Sequence, residues 1–131
     1  FNLKKLFSRE TYNPLTPELI REYNHHRPLG PQPYLCYAPF KSIYFGHGGK
    51  AVACCYNRNH VLGTYTQQSI QQIWCGAEAN KLREYIKHND LSRGCLGCKQ
   101  HITSGNFDAV KTLQYDERTL NKNKYPSVME F

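Results

Sequence analysis

Three stretches of the chain space their apolar residues as an α-helix does. The first covers residues 17–25, where Thr16 supplies a capping hydroxyl and Pro17 suits the first helical turn. Its apolar face is formed by Leu19, Ile20 and Tyr23. The pattern predicts a short amphipathic helix, followed by a loop in RPLGPQPY (27–34), which contains three prolines and a glycine.

The other two helical stretches follow one another in the second half of the chain. Ser69 is positioned as a helix cap. The apolar face after it is formed by Ile70, Ile73 and Trp74. A further apolar face, after Gly76, is formed by Ala79, Leu82, Tyr85 and Ile86. This last helix is expected to stop in HNDLSRG (88–94), because Asn, Asp and Gly interrupt helices.

Between the first helix and these two, the pattern changes to a period of two. Residues 40–45 alternate in this way, GHGG (46–49) supplies a turn, and 51–56 form an apolar run. The pattern predicts a β-hairpin. Cys36 precedes its first strand and Cys54 lies near the end of its second strand, so strand pairing is expected to bring these two thiols close together.

Composition and charge limit the function classes. The 131 residues fit one domain, and no apolar run approaches the ~20 residues of a membrane span. The start, FNLKKLFSRE, is not typical of a secretion signal, so we expect a cytoplasmic location without membrane contact. The 17 Lys and Arg against 10 Asp and Glu give a net charge of +7. These cations are scattered and accompany no recognition motif, which favours a solvated basic surface over nucleic-acid binding.

Four of the six cysteines indicate a metal centre. Cys95 and Cys98 form a CxxC motif, whose two-residue gap aims two thiolates at one centre, and its glycines are expected to form a tight turn. Cys36 and Cys54 are candidates for two further ligands. This spacing favours a metal over a disulfide-bridged secreted domain, but it leaves an iron–sulfur cluster and an irregular zinc site both open.

Other residues near the motif have simpler interpretations. Cys75 has no partner in the pattern, so we expect a packed thiol. His101 is spaced to complete a zinc site of three cysteines and one histidine, although a solvent-exposed histidine is the commoner role. Arg93 and Lys99 flank the CxxC motif, and Arg83 lies in the preceding helix, so these three are candidates for cations near the sulfurs.

The order of these motifs resembles the SPASM/twitch domain of radical S-adenosylmethionine enzymes. CYAPFKSIYFGHGGKAVACC is followed by LGTYTQQSIQQIW, then KLREYI, then CLGC, over about residues 36–101. The resemblance implies an auxiliary iron–sulfur cluster, usually [4Fe–4S]. The ligands that it implies are Cys36, Cys54, Cys95 and Cys98.

The resemblance also addresses the adjacent pair Cys54 and Cys55. Gly49 stands five residues before Cys54, as the hairpin glycine of the family stands before its ligand, which favours Cys54. Cys55 is then expected to face the other side of the strand as a buried free thiol. It is also the alternative ligand, because a one-residue slip in register exchanges the two positions.

The family further implies a partner. Radical S-adenosylmethionine enzymes cleave their cofactor with a cluster bound by CxxxCxxC in a partial α/β barrel, and this chain has no such triplet. We therefore expect a non-catalytic piece of, or accessory to, such an enzyme, meeting the barrel domain in cis or in trans. Its cluster would serve electron relay or substrate positioning, with a peptide or protein as substrate. The alternative is a zinc-stabilised binding module with a basic nucleic-acid-binding surface.

These expectations combine into an α+β fold. A small β-hairpin followed by two or three helices surrounds a Cys-ligated metal cluster, and the termini are irregular. The chain divides into a helical extension with a Pro-rich linker (1–35), a SPASM/twitch-like cluster-binding domain (36–103) and a C-terminal extension (104–131) that leads toward the barrel. The tail YPSVMEF (125–131) is predicted as the start of a strand.

Overall fold

The structure is a computed structural model that describes residues 11–27 and 30–109. The architecture is α+β, with short strands between helices. The helices are α1 (Pro17–His26), α2 (Ala38–Lys41), α3 (Ile70–Trp74), α4 (Ala77–Lys87) and α5 (Leu96–Thr103). The strands are β1 (Tyr44–Phe45), β2 (Lys50–Val52) and β3 (Gly63–Thr64). Two 3-10 turns cover His47–Gly49 and Phe107–Ala109.

The strands form one antiparallel sheet in the order β1-β2-β3. Tyr44 pairs with Val52 in the predicted hairpin, which is therefore confirmed, with a 3-10 turn at its tip. Gly49 has φ +80°, and an added Cβ would run into the Tyr65 carbonyl oxygen, so this position requires glycine. The third strand, β3, lies on the other side of β2 and was not predicted.

The hairpin is shorter than its alternating pattern predicts. Residues 40 and 41 belong to α2, not to a strand, because Pro39 suits the first turn of a helix and has no N–H for a sheet. The second strand ends at Val52, so Cys54 and Cys55 lie in the turn that follows it. The expectation that these two cysteines face opposite sides of a strand is therefore wrong.

The helix predictions are confirmed together with their caps. Thr16 Oγ1 accepts a hydrogen bond from the Leu19 N–H (3.2 Å) at the start of α1. Ser69 and Gln72 form a complete capping box at the start of α3. α4 ends at Lys87, and Asn89 follows with φ +59°, a left-handed conformation in which Asn is well tolerated.

One hydrophobic core joins the N-terminal helix to the cysteine-bearing region. Tyr23 of α1 is fully buried, and its hydroxyl donates to the Leu35 carbonyl (2.8 Å). Arg27 also donates to this carbonyl (3.0 Å) and stacks over the Tyr23 ring. The core consists of Leu15, Tyr23, Leu35, Ala51, Ala53, Leu62, Ile73, Ala79, Leu82, Ile86, Leu91, Ile102 and Phe107. The predicted domain boundary at residue 35 stays a prediction. α1 packs in the same core as residues that follow this boundary.

The strand-like tail at 125–131 lies outside the described residues, as do the start of the 1–35 extension and most of the 104–131 extension. Within the described ranges, no helix combines the length and the apolar character needed to cross a membrane.

Candidate metal centre

Four of the six cysteines line a single cavity between the turn after β2 and the start of α5. They are Cys36, Cys54, Cys95 and Cys98. The rest of the wall is formed by Ala38, Pro39, Ala53, Tyr56, Asn57 and Ile86. Ile86 also belongs to the hydrophobic core, and Cys95 and Cys98 pack against that core. The cavity thus continues the hydrophobic core, and its wall contains sulfur atoms as well as apolar side chains.

Cys36 is placed by the short helix α2. Its side chain is buried, and its sulfur accepts a hydrogen bond from the Ala38 backbone N–H (3.3 Å) at the first turn of α2. This N–H is one of the donors that a helix start leaves without an intrahelical partner. The unpredicted helix therefore supplies both the position of Cys36 and a donor to its sulfur.

Cys54 is placed by the tight turn after β2. The Asn57 backbone N–H donates to the Cys54 carbonyl oxygen (3.1 Å), and the backbone N–H groups of Tyr56 and Asn57 face the thiol, where they lower its pKa. At the start of this turn, Ser42 Oγ donates to the Ala53 carbonyl (2.8 Å) and so fixes the turn to the chain that follows α2. The reversal of the chain thus aims backbone donors at one sulfur.

Cys95 receives its hydrogen bond from a distant side chain. Asn57 Nδ2 lies 3.2 Å from Cys95 Sγ and 3.2 Å from the Arg93 carbonyl oxygen. Asn57 is itself buried. Sequence reasoning missed this residue, because no local pattern marks a side chain that bonds across 38 positions of sequence.

The two glycines of the CxxC segment have different roles. Gly94 has φ +79°, and a Cβ there would collide with the Asn57 amide, so the turn and the close packing both require glycine. Gly97 lies inside α5, and an added Cβ would meet no atom within 4 Å. The expected tight turn is therefore confirmed before Cys95 and is wrong for Gly97. Cys98 sits in the first turn of α5, which begins directly after Cys95.

The surroundings raise the pKa of three of the four cavity thiols. Burial raises the pKa of Cys95 to about 12, and the nearby Cys98 and Cys54 add to this effect. Burial and the neighbouring cysteines also raise the pKa of Cys36 well above its ordinary value. Burial raises the pKa of Cys54, although the two backbone hydrogen bonds oppose it. A bound cation reverses this balance, because a coordinating thiol is deprotonated outright.

The other two cysteines and His101 lie outside the cavity wall. Cys55 is partly exposed, and its carbonyl accepts a hydrogen bond from Arg58 Nε (2.8 Å). It is not the buried thiol that was expected. Cys75 is exposed at the end of α3, which also contradicts the expectation of a packed thiol. His101 is partly buried within α5 and does not line the cavity.

The predicted cations make contacts that lead away from the sulfurs. Arg83 donates to the Pro39 carbonyl (2.9 Å) and the Trp74 carbonyl (2.8 Å), so it holds α2 and α3 against α4. The Arg93 guanidinium lies over the Tyr85 ring, 4.7 Å from its centroid, and donates to the Tyr85 hydroxyl (3.2 Å). Neither these two nor Lys99 lines the cavity.

The donor set consists of four cysteine thiols that line one cavity. All six cysteines lie within the described residues and none of them forms a disulfide, so no such bond competes for the four in the cavity. Across residues 11–27 and 30–109, no group of three or more His, Cys, Asp and Glu side chains is already closed around a metal position. Thiolates bind zinc as well as iron–sulfur clusters, so the donor set by itself fits either cofactor.

Comparison with known families agrees with this donor set. Residues 36–99 match the SPASM family model, which describes an iron–sulfur cluster-binding domain. The matched range begins at Cys36 and ends one residue after Cys98, so it contains all four cysteines of the cavity. No curated protein and no solved structure gave a match. Residues 36–99 of this chain are therefore a SPASM domain, a domain that binds an iron–sulfur cluster.

Proposed function

We propose that the chain binds a [4Fe–4S] cluster through Cys36, Cys54, Cys95 and Cys98. The observation that carries this proposal is that these four sulfurs line one cavity, whereas Cys55 does not. The sulfurs of Cys36, Cys54 and Cys95 receive N–H donors, which is the environment that stabilises thiolates bound to metal. The match of residues 36–99 to an iron–sulfur cluster-binding domain favours a cluster over a single zinc ion.

We further propose that the chain serves a radical S-adenosylmethionine enzyme as its auxiliary-cluster domain, with the barrel supplied in cis or in trans. SPASM domains are typical of such enzymes, which supports this assignment. When bound, the cluster supplies one-electron transfer. The four cysteines leave no coordination position for a substrate, which favours electron relay or the shaping of a substrate channel over direct substrate binding.

The experiment is metal and sulfide analysis of anaerobically purified protein, together with its visible spectrum. We expect brown protein with about four irons and about four acid-labile sulfides per chain. Colourless protein with one zinc would contradict the cluster and support the zinc-stabilised module. The enzyme partnership is tested separately, by measuring whether the loaded chain binds a purified radical S-adenosylmethionine barrel and whether metal-free chain fails to do so.

A further inference from the structure

Asn57 stands out among the residues of the cavity wall because its side chain joins both sides. It lies in the turn after β2, it is buried to 2% exposure, and its amide nitrogen is 3.2 Å from Cys95 Sγ and from the Arg93 carbonyl oxygen. Its own backbone N–H donates to the Cys54 carbonyl oxygen (3.1 Å) and faces the Cys54 thiol, whose pKa it lowers. One residue thus contacts both cysteine-bearing sides of the cavity.

The orientation of the amide follows from its neighbours. A carbonyl oxygen can only accept a hydrogen bond, and a thiolate sulfur also accepts, so the group that faces Arg93 and Cys95 must be the NH2. The amide oxygen then points toward Gly94, where a Cβ would collide with it. The absence of a side chain at Gly94 leaves the space that the amide occupies. The packing of Asn57 against Gly94 therefore holds the amide next to Cys95.

The oxygen of the Asn57 amide indicates that the N–H groups are the functional part of this side chain. Asn57 Oδ1 is buried and has no hydrogen-bond partner in the described part of the chain. A buried acceptor without a partner costs about 1–3 kcal/mol, and such groups are uncommon in native proteins. An apolar side chain of the same size would avoid this cost, but it would leave the Arg93 carbonyl oxygen and the Cys95 sulfur without these donors. The hydrogen bonds of the amide are thus made by its N–H groups, and one of them is made to the sulfur.

We propose that Asn57 is a positioning residue that stabilises the Cys95 thiolate and raises the reduction potential of the cluster bound there. This inference rests on the proposed cluster. An N–H donor to a ligating sulfur favours the reduced, more negative form of an iron–sulfur cluster, so its loss lowers the potential. Loss of such a partner to a ligand also weakens metal binding, typically by 10–100-fold.

The test compares Asn57→Asp with Asn59→Asp in the cluster-loaded chain. Both substitutions add the same charge to the loop between β2 and β3, but Asn59 is exposed. Asn57→Asp replaces the donor by a carboxylate oxygen against the sulfur. We expect a lower midpoint potential in spectroelectrochemistry and about tenfold faster iron loss to a chelator. Asn59→Asp is expected to match the wild type in both measurements.

A second variant, Asn57→Leu, separates the donor from the added charge. It removes the N–H groups and also the unpartnered oxygen, so we expect a folded protein whose cluster has a lowered potential. Either variant that folds by circular dichroism and takes up no iron also supports the proposal. Wild-type potential in both variants overturns it, even if their stability is reduced. Failure of the proposed function is distinct, because the wild-type chain itself would then carry no cluster.

Discussion

The two sides of the cavity hold their sulfurs by different means. On the hairpin side, the sulfurs of Cys36 and Cys54 face backbone N–H groups of residues two or three positions further along the chain. On the CxxC side, Cys95 receives a side-chain N–H from Asn57. A backbone donor survives most substitutions of its own residue, but a side-chain donor does not. The hairpin side is therefore the more tolerant of point mutation, whereas the CxxC side depends on particular residues such as Asn57 and Gly94.

The largest expected effect comes from the sulfurs themselves. Serine variants of the four cavity cysteines should each lose most of their iron, because removal of one thiolate leaves an incomplete set of four ligands. Iron content should fall from about four per chain to below about one, as measured by metal analysis and by the visible absorbance. The variants are Cys36→Ser, Cys54→Ser, Cys95→Ser and Cys98→Ser.

Two matched controls accompany this series. Cys75→Ser and Cys55→Ser should keep the full iron content, because neither sulfur lines the cavity. Loss of iron in Cys55→Ser with retention in Cys54→Ser would show that the turn is shifted by one residue. Retention of iron in both hairpin-side variants would show that the two sides do not share one cofactor.

The second effect sharpens the contrast within the CxxC segment. Gly94→Ala should lower the free energy of unfolding by about 2–3 kcal/mol, because alanine is strained at φ +79° and its Cβ displaces Asn57. Gly97→Ala should raise it by about 0.5–1 kcal/mol, because Gly97 is helical and open to added volume. Urea denaturation of the loaded chain under anaerobic conditions measures both. Equal effects in the two variants would contradict the assigned geometry.

The smallest expected effect concerns the hydrogen bond between α1 and the Leu35 carbonyl, on the hairpin side of the cavity. Tyr23→Phe removes the hydrogen bond to the Leu35 carbonyl, next to Cys36, but Arg27 still donates to that oxygen. We expect a loss of about 1 kcal/mol in the same denaturation experiment, with unchanged iron content. Release of iron by this variant would show that the position of Cys36 depends on the Tyr23 hydrogen bond, even though Arg27 donates to the same carbonyl.

The features that were predicted correctly are those that arise from neighbours in sequence. The Thr16 cap, the Ser69 cap and the stop after Lys87 depend on residues within one helical turn, so local chemistry determines them. The errors arose where a proline or a long-range contact prevailed. Pro39 turned part of the expected strand into α2, and β3 is a two-residue strand too short to show a period.

The sequence by itself determined the helices, the hairpin and the order of four cysteines that marks a SPASM domain, because spacing and capping act over short distances along the chain. Only the tertiary structure decided that Cys54 and not Cys55 faces the cavity, and that Asn57 reaches Cys95. The physical reason is that the direction of a side chain in a turn depends on the hydrogen bonds that the turn makes with the surrounding elements. Asn57 and Cys95 lie 38 positions apart, so their contact forms only when the chain folds, and no local pattern encodes this contact.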